Sequence, residues 1–238
     1  MKRFLLCIVL VSAWMTSFGQ VPESVKDHYY CNFDVFTDVV LQQPVGYKAK
    51  AINVGFAFAG SYVIPFGDSG LGFAIGGGFT FHKLHSNALP KESIPLANLE
   101  KLNMDGVKPF YSLDSLGVGS YKRNFLQVSY FDVPLELLYR SEKGFNVSLG
   151  MKVSFKIGAN SKYKGDDYIF GSEENIKIKK SNLDNFASFG LNPVFRIGWK
   201  GFNFYASYAL LPMYEFEGKG YLKPISMGIS LTPWEFVK

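Results

Sequence analysis

The chain is poor in cysteine, in long apolar runs and in charge. Two Cys among 238 residues, Cys7 and Cys31, exclude a disulfide-stapled scaffold. Only 19% of the residues are charged while 47% are hydrophobic, which excludes a disordered chain. Beyond the N-terminal region no stretch offers the roughly 20 unbroken apolar residues of a transmembrane helix. The nearest, residues 51–67, is interrupted by Asn53, Gly55, Gly60 and Pro65, so a helical membrane protein is excluded. Histidine is also scarce. His82 and His85 are spaced so that on a strand they face opposite ways and cannot share a metal. Asp166 and Asp167 lack the spacing of an EF-hand. No metal and no cofactor is expected.

Aromatic residues and glycine are plentiful: 23 Phe, 14 Tyr and 3 Trp stand alongside 24 Gly. Glycine costs about 1 kcal/mol per helix position, so this combination argues against an all-α protein. Lys2 and Arg3 precede the charge-free run Phe4 to Phe18, and Ser17 and Gly19 are small residues ahead of Gln20. The pattern predicts a cleaved secretory signal peptide over residues 1–19. Losing Lys2 and Arg3 would lower the net charge from +5 to +3 and leave Cys31 as the one cysteine. An exported chain whose lysines are not arrayed among stacking aromatics is not expected to meet nucleic acid.

The rest of the chain alternates with a period of two. Phe145, Val147, Leu149, Met151, Val153, Phe155 and Ile157 interleave with Asn146, Ser148, Gly150, Lys152, Ser154, Lys156 and Gly158. The same pattern runs through 71–84, 185–199 and 221–234, and more weakly through 29–41, 49–66, 122–140 and 202–216, which makes eight predicted strands. Most exceed both the ~5–6 residues of a soluble sandwich strand and the ~9–11 of a tilted membrane strand. Their connections alternate in length. Gly67-Asp68-Ser69-Gly70, Ser141-Glu142-Lys143-Gly144 and Lys200-Gly201 are tight turns, whereas 42–48, 86–121, 159–184 and 217–220 are longer. The predicted fold is all-β: an eight-stranded antiparallel transmembrane up-and-down β-barrel over residues 20–238. It would begin with a short periplasmic segment at 20–28 and carry long extracellular loops at 86–121 and 159–184. Large residues would face lipid, and Gly, Ser and Asn would fill a narrow lumen.

The segment Tyr130-Phe131-Asp132-Val133-Pro134-Leu135-Glu136-Leu137-Leu138-Tyr139-Arg140, with its Glu142-Lys143-Gly144 turn, carries a resemblance. An aromatic, a mid-strand Pro and alternating Leu resemble a strand of the small eight-stranded outer-membrane β-barrel proteins of the Bacteroidota, which include the PorT-like barrels. The resemblance implies the barrel fold and an outer-membrane location. One departure is at the end of the chain, where Phe236 is followed by Val237 and Lys238 instead of closing the sequence.

The inward parity holds Asp34, Asp38, Asp132, Glu136, Lys152, Lys156 and Arg196. Folding the hairpin about 142–143 sets Lys152 beside Val133, flanked by Asp132 and Pro134. Opposite charges are expected to neutralise one another in a lumen too narrow for bulk water. The loop 86–121 carries Leu96, Leu99, Leu102, Phe110 and Tyr111, too apolar for a solvated tether, and is expected to pack over the mouth or dock a protein. The loop 159–184 mixes lysines, acids and aromatics and suits a solvated face or contact with lipopolysaccharide phosphates or a protein partner. His82, His85, Ser86 and Glu92 at the rim keep a barrel-type lipid-modifying enzyme as a distant reading. The expected role is non-enzymatic: a structural or accessory subunit with a protein partner in the cell envelope, among outer-membrane lipid and lipopolysaccharide. A small solute transporter or pore is the alternative.

Overall fold

Residues of alternating size and polarity pair most favourably when one face of the strand meets lipid and the other a packed interior, and the alternating segments do so here. A computed structural model of the protein describes residues 28–95, 108–170, 172 and 174–233. The predicted signal peptide, and Leu96, Leu99 and Leu102, lie outside the described residues. The strands are β1 (Tyr29–Leu41), β2 (Val54–Pro65), β3 (Leu71–His85), β4 (Ala88–Pro90), β5 (Phe110–Ser112), β6 (Tyr121–Arg140), β7 (Phe145–Asp166), β8 (Asn175–Ser181), β9 (Phe189–Trp199), β10 (Phe202–Tyr208), β11 (Tyr214–Phe216), β12 (Lys219–Tyr221) and β13 (Lys223–Leu231). Eight of these close a barrel in the order β1-β2-β3-β6-β7-β9-β10-β13, with β13 returning to β1 and every neighbour antiparallel. The closed eight-stranded fold is the one predicted.

The outer face is a band of rings. Phe56 stacks on Phe81 at 4.8 Å, Phe58 meets Phe79 at 5.3 Å, and Phe79 meets Phe131 at 5.6 Å. The inner face is narrow because glycine lets neighbouring strands approach. A Cβ on Gly150 would collide with the Leu135 carbonyl and lie 2.7 Å from Cγ of Glu136. The parity rule is not absolute, since Gly77 points outward and leaves its place to the Phe131 ring. The tight turns use left-handed backbone where hairpin geometry requires it: Lys200 has φ 44° and Gly201 φ 82°.

Four differences from the predicted boundaries have physical causes. β2 starts at Val54 because Asn53 is buried as a bracket. Its amide donates to the Asp38 and Lys50 carbonyls at 3.0 and 2.7 Å, and its side-chain oxygen accepts from the His85 N–H at 2.7 Å. β10 stops at Tyr208, short of residue 216. Beyond it Leu210 N–H bonds to Leu191, Pro212 offers no donor, and the chain turns into the small hairpin β11–β12. Lys152 pairs with Pro134, one residue from the register expected. The expected loop 159–184 is largely strand: β7 continues to Asp166 and β8 pairs beside it. Ile157 forms a bulge, since Ser129 pairs with Gly158 and Tyr130 with Lys156. At that bulge β7 exchanges its neighbour β9 for β8. Strands β6, β7 and β8 thus extend past the lipid-facing rings as a small sheet.

Candidate functional site: a layered lumen under a loop cap

The lumen is built in alternating polar and apolar layers, because each strand delivers one inward residue in every two. At the end with the tight turns lies an apolar patch of Tyr30, Val63, Ala74 and Leu138, with the Arg140 guanidinium 4.8 Å from the centre of the Tyr30 ring. Above it β9 supplies Arg196, which binds two acids from opposite walls. Its Nη2 and Nε donate to the Asp34 carboxylate at 2.8 and 3.3 Å, and its Nη1 donates to both oxygens of Glu136 at 2.7 Å. Ser148 donates to Glu136 at 2.8 Å. Phe36, Ala57, Val194 and Tyr205 form the next apolar layer, with Arg196 5.1 Å from the centre of the Tyr205 ring.

A second charged layer follows. Asp132 accepts from Thr80 and, at 2.6 Å, from Ser154; Lys152 Nζ lies 3.5 Å from the same carboxylate and donates to Thr80 at 2.9 Å. Over this layer Asp38 accepts from Ser226 at 2.6 Å and has His82 Nδ1 at 2.8 Å. Buried charge in a low-dielectric interior requires an opposite charge and hydrogen bonds to every lone pair. Arg196 supplies the opposite charge for Asp34 and Glu136 and Lys152 for Asp132, while hydroxyl groups of Ser148, Thr80, Ser154 and Ser226 add hydrogen bonds to the carboxylates. The cavity beside His82, Lys152 and Ser154 holds about 20 Å³, room for a single water.

The mouth is closed by the longer loops. Phe110, 1% exposed, sits between Tyr47 at 4.9 Å and Tyr214 at 4.8 Å, and Phe186 meets Tyr214 at 5.1 Å. Val40, Leu84, Leu126, Val128 and Leu222 complete this apolar stopper. Hydrogen bonds tie the loops to one another. Leu222 N–H donates to the Gln42 carbonyl at 3.2 Å. The Glu92 carboxylate accepts from the Asp184 and Asn185 N–H groups at 3.0 and 3.3 Å, and from the Asn185 side chain. A second cluster joins Leu89, Tyr111, Leu113, Leu116 and Val118 to Tyr163 and Tyr168. Burial, and then the Asp166 and Asp167 charges, push the Tyr163 phenol up to about 12. The Asp167 carboxyl is raised by desolvation, but hydrogen bonds from Ser172, Phe170 and Ile169 prevail and hold it below the ordinary carboxylate value.

Six of the seven expected lumen charges, Asp34, Asp38, Asp132, Glu136, Lys152 and Arg196, enter these layers. Lys156 does not. Next to the Ile157 bulge it reaches up to donate to the Phe186 carbonyl at 2.6 Å, and so anchors the third loop instead of an acid. Phe110 and Tyr111, on the loop expected to pack over the mouth or dock a protein, are 1% and 4% exposed and lie inside the cap, so these two pack over the mouth and offer no surface to a partner. Sequence reading missed Thr80 and His82 as members of the lumen, although both share the parity of Gly76 and Gly78 on β3. The residues of the enzymatic reading are scattered. His82 faces Asp38, Ser86 donates to the Ala88 carbonyl, and Glu92 braces the third loop. His85 is on the outer wall, its pKa lowered by partial burial and then by the Lys83 and Lys50 charges.

A closed barrel with an apolar aromatic exterior, a filled lumen and tight turns at one end defines an integral outer-membrane β-barrel protein. The family model described as "Outer membrane protein beta-barrel domain" matches residues 20–215, and the chain belongs to that family. No curated protein matches it. Among solved structures it is similar to Ail, the attachment invasion locus protein of Yersinia pestis, in complex with the heparin analogue sucrose octasulfate. That likeness has 14% identity and a TM-score of 0.40, over 86% of this chain and 97% of that one. The backbone structure of Ail in a phospholipid bilayer nanodisc is similar at 15% identity and a TM-score of 0.32, over 85% and 98% of the two chains.

Proposed function

We propose that the protein is a non-conducting outer-membrane barrel that acts as a structural or accessory subunit of a larger envelope assembly, in the manner of the PorT-like barrels its fourth predicted strand resembles. The observation that carries this reading is the filled lumen. Arg196 ties β1 and β6 together across the lumen, Lys152 with Asp132 and Thr80 fills the layer above, and the stopper around Phe110 lies over them. A barrel blocked at several heights has no route for a solute, so its work is done on its surfaces. Two measurements test the proposal. The purified full chain in planar bilayers is expected to give no steady conductance, and mild-detergent extraction is expected to co-purify a stoichiometric envelope partner. Stable channels that disappear in Asp132→Asn or Lys152→Met, or a protein that elutes alone from cells whose solute permeability depends on it, would sink the idea.

A further inference from the structure

The outer wall above the lipid-facing rings carries cations where a sheet should avoid them. In the three-stranded extension, Arg123 of β6 pairs with Lys164 of β7, which pairs in turn with Lys177 of β8. The next outward row is Phe125, Lys162 and Lys179. Like charges directly opposite one another destabilise an antiparallel pair, so two such rows in succession work against the fold. Among the described residues none of these five cations has a carboxylate within 4.0 Å. Two nearby acids are engaged elsewhere: Asp166 accepts from Ser120 N–H at 2.6 Å, and Asp167 caps its own turn. Cations on an edge strand guard against edge-to-edge pairing, which accounts for those of β8 and for Arg123, since β6 pairs with β3 only as far as Phe125 and His85. Lys162 and Lys164 stand on β7, paired with β6 on one side and β8 on the other, and edge protection does not account for them. Phe125 ends the second row, with Lys83 Nζ 4.4 Å and Lys162 Nζ 5.7 Å from its ring centre. Arg123, Phe125, Lys162, Lys164, Lys177 and Lys179 line a groove of about 470 Å³.

The groove is supported from behind. The opposite face of the same strands, with Tyr163, Ile176 and Ile178, is packed on Leu113, Leu116 and Val118. On β3 the outward parity runs Phe79, Phe81, Lys83, so the cations continue the lipid-facing band without a break. Lys162 is five residues beyond Ile157. At a rise of ~3.3 Å per residue and a strand tilt of about 40° this is roughly 12 Å above the last lipid-facing residue of β7. The headgroup layer is about 5–8 Å deep, so the Lys162 backbone lies just above it and its side chain, about 6 Å long, reaches down to the phosphates.

We propose that this groove binds the phosphorylated headgroup of a glycolipid in the surrounding outer leaflet, with the cations on the phosphates and the acyl chains running down the Phe79, Phe81 and Phe131 face. Multiple phosphates match the paired rows, since each row offers two or three ammonium or guanidinium donors to one anion. The test uses the full chain in phosphatidylcholine nanodiscs, with retained lipid measured by native mass spectrometry. The wild-type protein should retain bisphosphorylated lipid A at least about tenfold better than the same lipid stripped of its phosphates. Lys162→Gln/Lys164→Gln/Lys177→Gln/Lys179→Gln should lose that preference. The milder Lys177→Gln/Lys179→Gln, confined to the edge strand, should lose part of it while keeping the heat-modifiable gel mobility of a folded barrel. Equal retention of the two lipids, or a preference unchanged in both variants, overturns the proposal. So does inorganic pyrophosphate that displaces lipid A completely and binds as well in discs lacking it, because the site would then serve a free anion. Each outcome is read independently of conductance and of partner co-purification.

Discussion

Without its guanidinium, position 196 would leave Asp34 and Glu136 facing a lumen with no other cation within 4.0 Å of either among the described residues. Arg196→Met is therefore expected to cost about 3–5 kcal/mol, measured as the urea midpoint of unfolding from lipid vesicles. The triple change Asp34→Asn/Glu136→Gln/Arg196→Met, which removes every charge at once, should recover most of that loss. If the single variant unfolds at the wild-type midpoint, the layer carries no structural weight. Lys156→Met should shift the midpoint by no more than about 1 kcal/mol, since Lys156 makes one bond to a carbonyl. The contrast between these two cations marks how far sequence could reach. Parity alone places Asp34, Asp38, Asp132, Glu136, Lys152 and Arg196 inside, because a strand cannot hide that information. Which acid meets which base depends on strand register and on a bulge, and neither leaves a local signature. His82 was legible by the same parity as Thr80, but its distance along the chain from Asp38 concealed the pairing.

At the scale of single elements, the strands of the membrane wall were readable, and so was a loop packed over the mouth, but not the contacts that hold that cap. The cap is held by tertiary contacts, such as Phe110 against Tyr214 and Glu92 against Asn185, that no periodicity announces. The upper half of β7 and β8 were readable in principle, since Lys177 and Lys179 alternate with Ile176 and Ile178. The turn between them depends on Asp167, whose carboxylate receives the Ile169 and Phe170 N–H groups at 2.8 and 3.1 Å and the Ser172 hydroxyl at 2.8 Å. Its folded pKa lies below the ordinary carboxylate value. The stabilisation is therefore complete above that ordinary value and is lost as pH falls through the lower, folded one. Two results are expected. Asp167→Asn should speed chymotrypsin cleavage after the exposed Phe170 at neutral pH several-fold. In the wild type, pepsin cleavage at this turn should accelerate on acidification more steeply than that of an unstructured peptide of the same sequence. Identical pH profiles for the two substrates would show that Asp167 does not hold the turn.

For the whole molecule, the lumen layers and the loop cap are seals in series. Opening one leaves the others shut. Phe110→Ala/Tyr214→Ala, which hollows out the stopper, should make the loops more sensitive to protease yet give no channel. Adding Asp132→Ser and Lys152→Ser should still leave the Arg196 layer in the path. Only when Asp34, Glu136 and Arg196 are replaced by Ser and the apolar layers are opened as well, by Phe36→Ala/Tyr205→Ala and Tyr30→Ala/Leu138→Ala, should planar bilayers record a conductance. A channel from the cap variant alone would mean that the charged layers do not block the lumen.

The bulge at Ile157 gives β7 two independent reading frames for its side chains. Below it the even-numbered residues point inward; above it the odd-numbered ones do, from Ala159 to Gly165. A strand crossing from membrane to surface must satisfy two unrelated codes, rings against lipid below and cations facing out above. One supernumerary residue lets each code be written without regard to the other. Deleting that residue would turn the upper strand inside out, driving Lys162 and Lys164 into the apolar cap and Tyr163 into the surroundings. Small insertions and deletions are commonly tolerated in loops; here, a change of one residue within a strand exchanges an apolar support for a charged face.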